Sequence, residues 1–329
     1  MKKTLTSKLF AITCGIAVLA SSCKNDGSEI GLASASPAAF KALREKALKD
    51  LTQTKAFKAE EGVTFTSEKG AKLTIPSNCL SNQNNEPVTG DVILSFIDIY
   101  DRGNMVATNK PVMGKDNEGN ALPLVTGGQY NIDIKKDGKS LKPSTGCLFQ
   151  VHVPANNTGG LDFAMKMWKG NINDDGNLVW EEAKGADGKE GGVRPNEQSA
   201  GYDIIGSEFG WANVDRFYSD PREKTQIKVT VPEGYNKDNA SVYLAYENEP
   251  NVLAQLDTYD TQDKFFSEHY GFIPVGMSLH VIFVSESNGA IVYAIKPATI
   301  VANATIAISS SELNTTTKNN LVSMINALN

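Results

Sequence analysis

Short runs of alternating apolar and polar residues, broken by turn signals, fill this chain from Gly62 to Ile308 and leave little room for anything but a β fold. Side chains along a strand point to opposite faces in turn, so such a run buries one face and wets the other. Tyr130, Ile132 and Ile134 alternate with Asn131, Asp133 and Lys135, and Asp137-Gly138 follows as a hairpin turn. Val92, Leu94 and Phe96 alternate instead with Ile93, Ser95 and Ile97, giving apolar character on both faces, as in a strand inside a sandwich. Phe149, Val151 and Val153 form another strand, ended by Pro154. Phe163, Met165 and Met167 open a hairpin whose return strand carries Val179 and Trp180. Further on, Ile227, Val229 and Val231 form one strand, and Val242, Leu244 and Tyr246 another. Leu279, Val281 and Phe283 lead through Ser287-Asn288-Gly289 to Ile291 and Tyr293, and residues 300–308 give a last strand or strand pair.

Residues 184–201 interrupt this pattern with a Gly-rich, polar stretch that reads as a linker. The expectation is a mainly β chain with two β-sandwich-like domains, residues 59–183 and 202–309. A short helix precedes them. Ser36-Pro37 reads as N-cap and first helical residue, and Phe40, Leu43, Ala47, Leu48 and Leu51 follow at helical spacing, predicting an amphipathic helix to about Lys55. A C-terminal helix is expected over residues 310–329, with Leu321, Ile325 and Leu328 on one face.

The N-terminus has the composition of an export signal. Lys2, Lys3 and Lys8 precede an apolar run from Leu9 to Ala20, too short to span a membrane as a helix. Ala20-Ser21-Ser22-Cys23 follows, and small residues leading into a cysteine resemble the lipobox of bacterial lipoproteins. Leu19 stands four residues before the cysteine instead of three, the relaxed form of Bacteroidota-type lipoproteins. The resemblance implies removal of residues 1–22, a lipid on Cys23 and retention at the outer membrane. The competing outcome is ordinary cleavage near Ser22 and a soluble secreted protein. Residues 24–35 read as a polar tether, and Asp26 and Glu29 resemble surface-export signals. Either the cell surface or the periplasmic face fits this end.

Charge narrows the partners. There are 32 basic and 38 acidic residues; removing Lys2, Lys3 and Lys8 with the signal leaves 29 against 38, a net charge of −9. That excess argues against nucleic acid and against adsorption to anionic headgroups. With Cys23 lipidated, Cys79 and Cys147 remain as an even pair in an oxidising compartment, either a disulfide or two buried thiols.

A second resemblance lies in Gly70-Ala-Lys-Leu-Thr-Ile-Pro-Ser-Asn-Cys-Leu80, a Gly-led strand ending at Ile-Pro and a small-residue turn. It is similar to the opening of the sandwich domain shared by zonula occludens proteins, netrin receptors and ankyrins. Gly90-Asp91-Val92, with Asp98-Ile-Tyr-Asp-Arg102 at its end, fits the same layout. Asn109-Lys110-Pro111, Gly127-Gly128 and Phe209-Gly-Trp-Ala-Asn-Val-Asp-Arg-Phe217 look like segments of uncharacterised Bacteroidota envelope lipoproteins. The resemblance implies a β-sandwich and a non-catalytic interaction role. Some relatives of the sandwich domain cleave themselves at a His-Phe-Ser triplet, which this chain lacks.

The residues offer little to a catalyst. His152, His269 and His280 are the only histidines, and none has a second at i+2 or i+4 to start a zinc site. No Gly-x-Ser-x-Gly elbow, phosphate loop or dinucleotide fingerprint occurs. Asn171 to Glu182 matches calcium-loop spacing, with Asn171, Asn173, Asp175, Gly176 and Glu182 in place, but its flanks alternate as strands. A hairpin tip explains the same residues, so no metal and no cofactor is assigned. Trp168 and Trp180 straddle that hairpin; they pack across it or, if exposed, stack on a sugar ring. The leading expectation is a non-catalytic envelope lipoprotein that binds a protein partner. The alternative is a glycan-binding surface lipoprotein for nutrient capture, and a hydrolase using scattered carboxylates comes last.

Overall fold

The long strand Ala121–Lys136 organises the fold, because different stretches of it pair with four different neighbours. The computed structural model describes residues 32, 35–172, 178–183, 192–268 and 271–329. The order in the central sheet is Gln53–Lys58, Asp91–Ile99, Ala121–Lys136, Gly210–Phe217, Lys166–Ile172, Leu178–Ala183 and Met113–Lys115. Met113–Lys115 pairs parallel with Leu178–Ala183 and antiparallel with the start of the long strand. Gly210–Phe217 runs along the other side of the long strand, and Tyr218 N–H continues that ladder to the Pro123 carbonyl. The sheet therefore closes on itself as a small barrel, which leaves no edge around the ring.

Trp168 and Trp180 fill the barrel together with Leu124 and Leu178, all fully buried. Two glycines make room for the indoles. A Cβ on Gly114 would stand 2.8 Å from the Trp168 ring, and one on Gly170 would stand 2.8 Å from the Trp180 ring. Phe217 meets Trp168 edge to face at 5.0 Å between centroids, and Trp211 meets Trp180 at 6.5 Å.

A second sheet, in the order Val193–Asn196, Gly201–Gly206, Phe149–Pro154, Lys72–Ile75 and Val63–Thr66, lies over the outside of the central one. Phe65 reaches Phe96 across the gap, and Phe96 stacks on Tyr130. The opposite side packs on helices α1 (Pro37–Leu51), α2 (Arg102–Thr108) and α3 (Lys318–Asn326) and on a third sheet. That sheet runs Leu253–Leu256, Ala240–Tyr246, Ser278–Ser287, Ala290–Thr299 and Asn314–Thr316. One apolar cluster joins Phe40 of α1, Met105 and Val106 of α2, Leu321 and Ile325 of α3, the barrel tryptophans, and Tyr243 and Ile282 of the third sheet. A further sheet brings Thr258–Asp260, Phe265–Ser267, Lys228–Thr230 and Thr305–Ala307 together.

The mainly β class holds, with short helices near both ends of the described chain. Several boundaries move. Helix α1 stops at Leu51, not near Lys55, because Thr52 turns extended and residues 53–58 pair with Asp91–Ile99. The expected C-terminal helix shrinks to α3, since Asn314–Thr316 is drawn into the third sheet beside Ala290–Thr299. The hairpin strand starts at Lys166 and leaves Phe163 67% exposed, so the apolar run there is not a continuous stripe. Within the segment read as a linker, Val193–Asn196 adds a strand to the second sheet, while 184–191 lie outside the described residues. Gly201–Gly206 and Gly210–Phe217, expected to open the second β region, complete the first two sheets instead.

Candidate functional site

Residues 109–112 cross one end of the barrel between α2 and Met113–Lys115, and a belt of buried polar groups gathers beside them. Asn109 ends α2 in the left-handed region at φ 53°, where asparagine is tolerated better than most residues. Its side-chain oxygen takes the Tyr243 hydroxyl in a short hydrogen bond and Gln255 Nε2 at 3.3 Å. The Pro111 carbonyl accepts Trp180 Nε1 at 3.0 Å, and the Lys110 carbonyl accepts Gln129 Nε2 at 3.0 Å. Lys110 is 6% exposed, yet among the described residues its ammonium meets only the Thr108 and Asn109 carbonyls at 3.5 and 3.4 Å and the Trp211 ring at 5.6 Å. Among the described residues no carboxylate pairs with it. Burial, with a smaller push from Arg44, lowers its pKa to about 8.

Across the sheet, Thr126, Gln129, Asn213 and Asp215 are all fully buried. Thr126 Oγ1 donates to Asn213 Oδ1 at 3.0 Å, and Asn213 Nδ2 donates to Asp215 Oδ2 at 2.6 Å. Burial raises the Asp215 carboxyl well above the ordinary range, outweighing the Thr126 hydroxyl and Gly127 amide that favour its charge. Trp168 Nε1 donates to the Asp215 backbone carbonyl at 2.8 Å, tying this belt to the barrel interior.

The other feature is a groove of about 270 Å³ between the outside of the barrel and one end of the second sheet. Met167 and Lys169 come from one hairpin strand, Tyr130 from the long strand and Phe149 from the second sheet. The turn from Ile205 to Gly210 closes one side, and Phe209 packs on Phe149 with centroids 5.2 Å apart. Glu208 in that turn forms a close ion pair with Lys169, and both side chains remain more than half exposed.

The sequence candidates fall in separate places. Cys23 and His269 lie outside the described residues. Cys79 and Cys147 are joined by a disulfide, their Cα atoms 5.6 Å apart, beside the pairing of Leu80–Ser81 with Lys142–Pro143. Trp168 and Trp180 are barrel core, so neither presents a surface to a sugar. Of the calcium-like loop, residues 173–177 lie outside the described set. Asn171 pairs opposite Val179 in the hairpin, and Lys166 holds the Glu182 carboxylate at 2.8 Å. His152 bonds Asp203 at 2.7 Å on the open face of the second sheet, and His280 sits on a strand of the third. Among the described residues, no group of three or more His, Cys, Asp or Glu converges on a metal-sized space.

Sequence reasoning did not single out Lys169 or Glu208, but it did mark residues 109–111, which include Lys110, and residues 209–217. The latter segment gives Phe209 to the groove, Trp211 and Phe217 to the barrel aromatics, and Asn213 and Asp215 to the polar belt.

No protein-family model matches the chain. Cartilage intermediate layer protein 1 of Mus musculus is 32% identical over 116 residues, 34% of this chain and 10% of that protein. The chain thus spans about a tenth of that relative's length. Among solved structures, gamma-CGTase from alkalophilic Bacillus clarkii covers 77% of this chain and 41% of its own, at 8% identity and a TM-score of 0.20. A score that low carries no argument about fold or activity, and neither match assigns the chain to a family.

Proposed function

We propose that this chain is a lipid-anchored protein of the bacterial outer membrane, held through Cys23, that serves an envelope assembly as a non-catalytic, protein-binding subunit. The observation that carries this reading is the continuity from the lipobox-like Ala20-Ser21-Ser22-Cys23 to a helix locked into the body. Residues 24–35 reach about 40 Å at most when fully extended. Helix α1 then fixes their far end. Ser36 N–H donates to Glu286 at 2.8 Å, Asn239 donates to the Ala35 carbonyl at 3.2 Å, and Phe40 is buried. Arg44 lies over the Phe40 ring and donates to Ser241 at 2.5 Å. A folded body joined to its anchor by a short polar segment suits a docking component more than a diffusing one.

Support for a protein partner comes from Gln53–Lys58. This strand ends the central sheet, pairs with Asp91–Ile99 on one side, and carries mostly exposed side chains. An edge of this kind is a ready surface for a strand from another chain, and Lys55 and Lys58 limit indiscriminate pairing. Two measurements test the proposal. Cys23→Ala should move the protein from the membrane fraction to the soluble fraction. Affinity purification of the native protein after cross-linking should recover a stoichiometric envelope partner. Recovery of the wild-type chain alone and monomeric overturns the partner, and a Cys23→Ala variant that stays with membranes overturns the anchor.

A further inference from the structure

We infer that the groove between the barrel and the second sheet is a binding site for a small, uncharged saccharide unit, a role separate from the protein docking proposed above.

Its size comes first. About 270 Å³ lies just under the ~300 Å³ at which ordinary small-molecule pockets begin, so the occupant is small. Its floor is apolar: Phe149 and Tyr130 are almost fully buried, Met167 and Ile205 stand beside them, and Phe209 covers Phe149 while keeping part of its own ring open. Its rim is polar on one side. Lys169 offers donors, Glu208 offers acceptors, and Ser207 beside them is exposed. At the end of the turn Gly210 adopts φ +119°, and a Cβ placed there would meet nothing within 4 Å, so this end of the groove is open.

A ligand for such a place needs an apolar face, an edge bearing both donors and acceptors, and no net charge. The charge condition follows from the ion pair: Lys169 and Glu208 neutralise each other, so a cation or an anion gains from one and is opposed by the other. The net charge, −6 for the whole sequence and more negative once Lys2, Lys3 and Lys8 leave with the signal, adds to the bias against anions. A pyranose ring meets all three conditions, since its axial C–H groups lie flat on an aromatic ring while its hydroxyls donate and accept at the edge. An apolar peptide side chain would fill the floor but add no hydrogen bond to the donors and acceptors that the Lys169–Glu208 pair leaves facing solvent.

An array of neutral and acidic oligosaccharides, with apolar peptides printed alongside, identifies the probe. Calorimetry on the lipidated full-length protein in detergent then measures affinity. A neutral oligosaccharide should bind, with affinity reduced at least tenfold by Phe209→Ala and severalfold by Lys169→Gln. Lys169→Gln changes an exposed side chain, so it reads the site even if Phe209→Ala fails to fold. His152→Ala, on the open face of the second sheet, should bind as wild type. Cys23→Ala should also bind as wild type, so loss of the anchor and loss of the saccharide site are read separately. A blank array, a preference for acidic sugars or for apolar peptides, or wild-type affinity in both Phe209→Ala and Lys169→Gln overturns the inference.

Discussion

The barrel interior and the polar belt share strands, yet they solve burial in opposite ways. Inside the barrel, two indoles are packed by apolar neighbours, and each sends its single N–H to a backbone carbonyl, Asp215 for Trp168 and Pro111 for Trp180. In the belt, among the described residues, Lys110 keeps a buried ammonium with no carboxylate, Asp215 keeps a buried carboxyl, and Gln129 Oε1 has no donor. A buried donor that finds its acceptor costs little, whereas a buried ionisable group without a counter-charge is expensive. The barrel should therefore be where stability is concentrated, and the belt where stability is lost for some other return.

The barrel side breaks most easily. Trp180→Ala should destabilise the protein by about 3–5 kcal/mol, the range for emptying a large aromatic site that relaxes only partly. Trp180→Phe should cost less, about 1–3 kcal/mol, because the ring volume mostly stays while the Pro111 carbonyl loses its donor. Denaturant unfolding of both variants checks the pair. If the two cost the same, the hydrogen bond and not the packing holds the barrel. The glycines test the same packing from the other direction. A methyl at Gly170 would come within 2.7 Å of Trp211 Cβ and 2.8 Å of the Trp180 ring, so Gly170→Ala should cost about 1–3 kcal/mol through overpacking. A neutral Gly170→Ala would mean that the indoles are free to shift.

The belt side should respond in the opposite sense. With its pKa lowered to about 8, Lys110 loses its proton in the folded state before it does in the unfolded state, where the value is near 10.5. Below pH 8 both states are charged and the burial penalty is fully present, about 3 kcal/mol at most. Between pH 8 and 10.5 the unfolded state binds more protons, so this group makes stability rise with pH. Lys110→Met should therefore stabilise the protein at pH 7 by about 1–3 kcal/mol, less the lost contact with the Trp211 ring, and abolish the alkaline rise. Asp215 acts with the other sign. Its folded carboxyl holds its proton above the ordinary value of 3.8, so its contribution falls as pH rises from there through the folded value. Thermal melts across pH for Lys110→Met and Asp215→Asn separate the two, since each should remove a slope of opposite sign.

How much of this was legible follows from what each feature depends on. Asp137-Gly138 and Ser287-Asn288-Gly289 carry turn chemistry in adjacent residues, and the structure uses both as hairpin turns. One face of Asp91–Ile99 could be read from alternation, since Val92, Leu94 and Phe96 are all buried; the other was only partly legible, because Ile97 is buried while Ile93 is 53% exposed. Barrel closure could not. It depends on Met113–Lys115, a strand too short to show a period, pairing with strands about ten and sixty-five residues further along the chain. Helix α2 was missed for a related reason: its start is set by Asp101 capping Asn104, and its seven residues are too few for a helical period to stand out. Trp168 and Trp180 were readable as a cross-hairpin pair, but their burial depends on the glycines of two separate strands. The groove was visible only as the 209–217 segment, since Lys169 and Glu208 are brought together by pairing far along the chain.

The smallest expected effect marks where the comparison stops applying. Lys166 and Glu182 meet at 2.8 Å on the outside of the same hairpin that carries both tryptophans, with side chains 46% and 37% exposed. Water already solvates both groups, so the bond replaces hydration instead of filling a vacancy, and holding two long side chains together costs entropy. A double-mutant cycle with Lys166→Ala and Glu182→Ala, read by denaturant unfolding, should give a coupling under about 0.5 kcal/mol that fades with added salt. A coupling well above about 1 kcal/mol would be the informative result. It would mean that an exposed polar contact stabilises this hairpin as much as a buried one, and that burial alone does not separate the barrel from the belt.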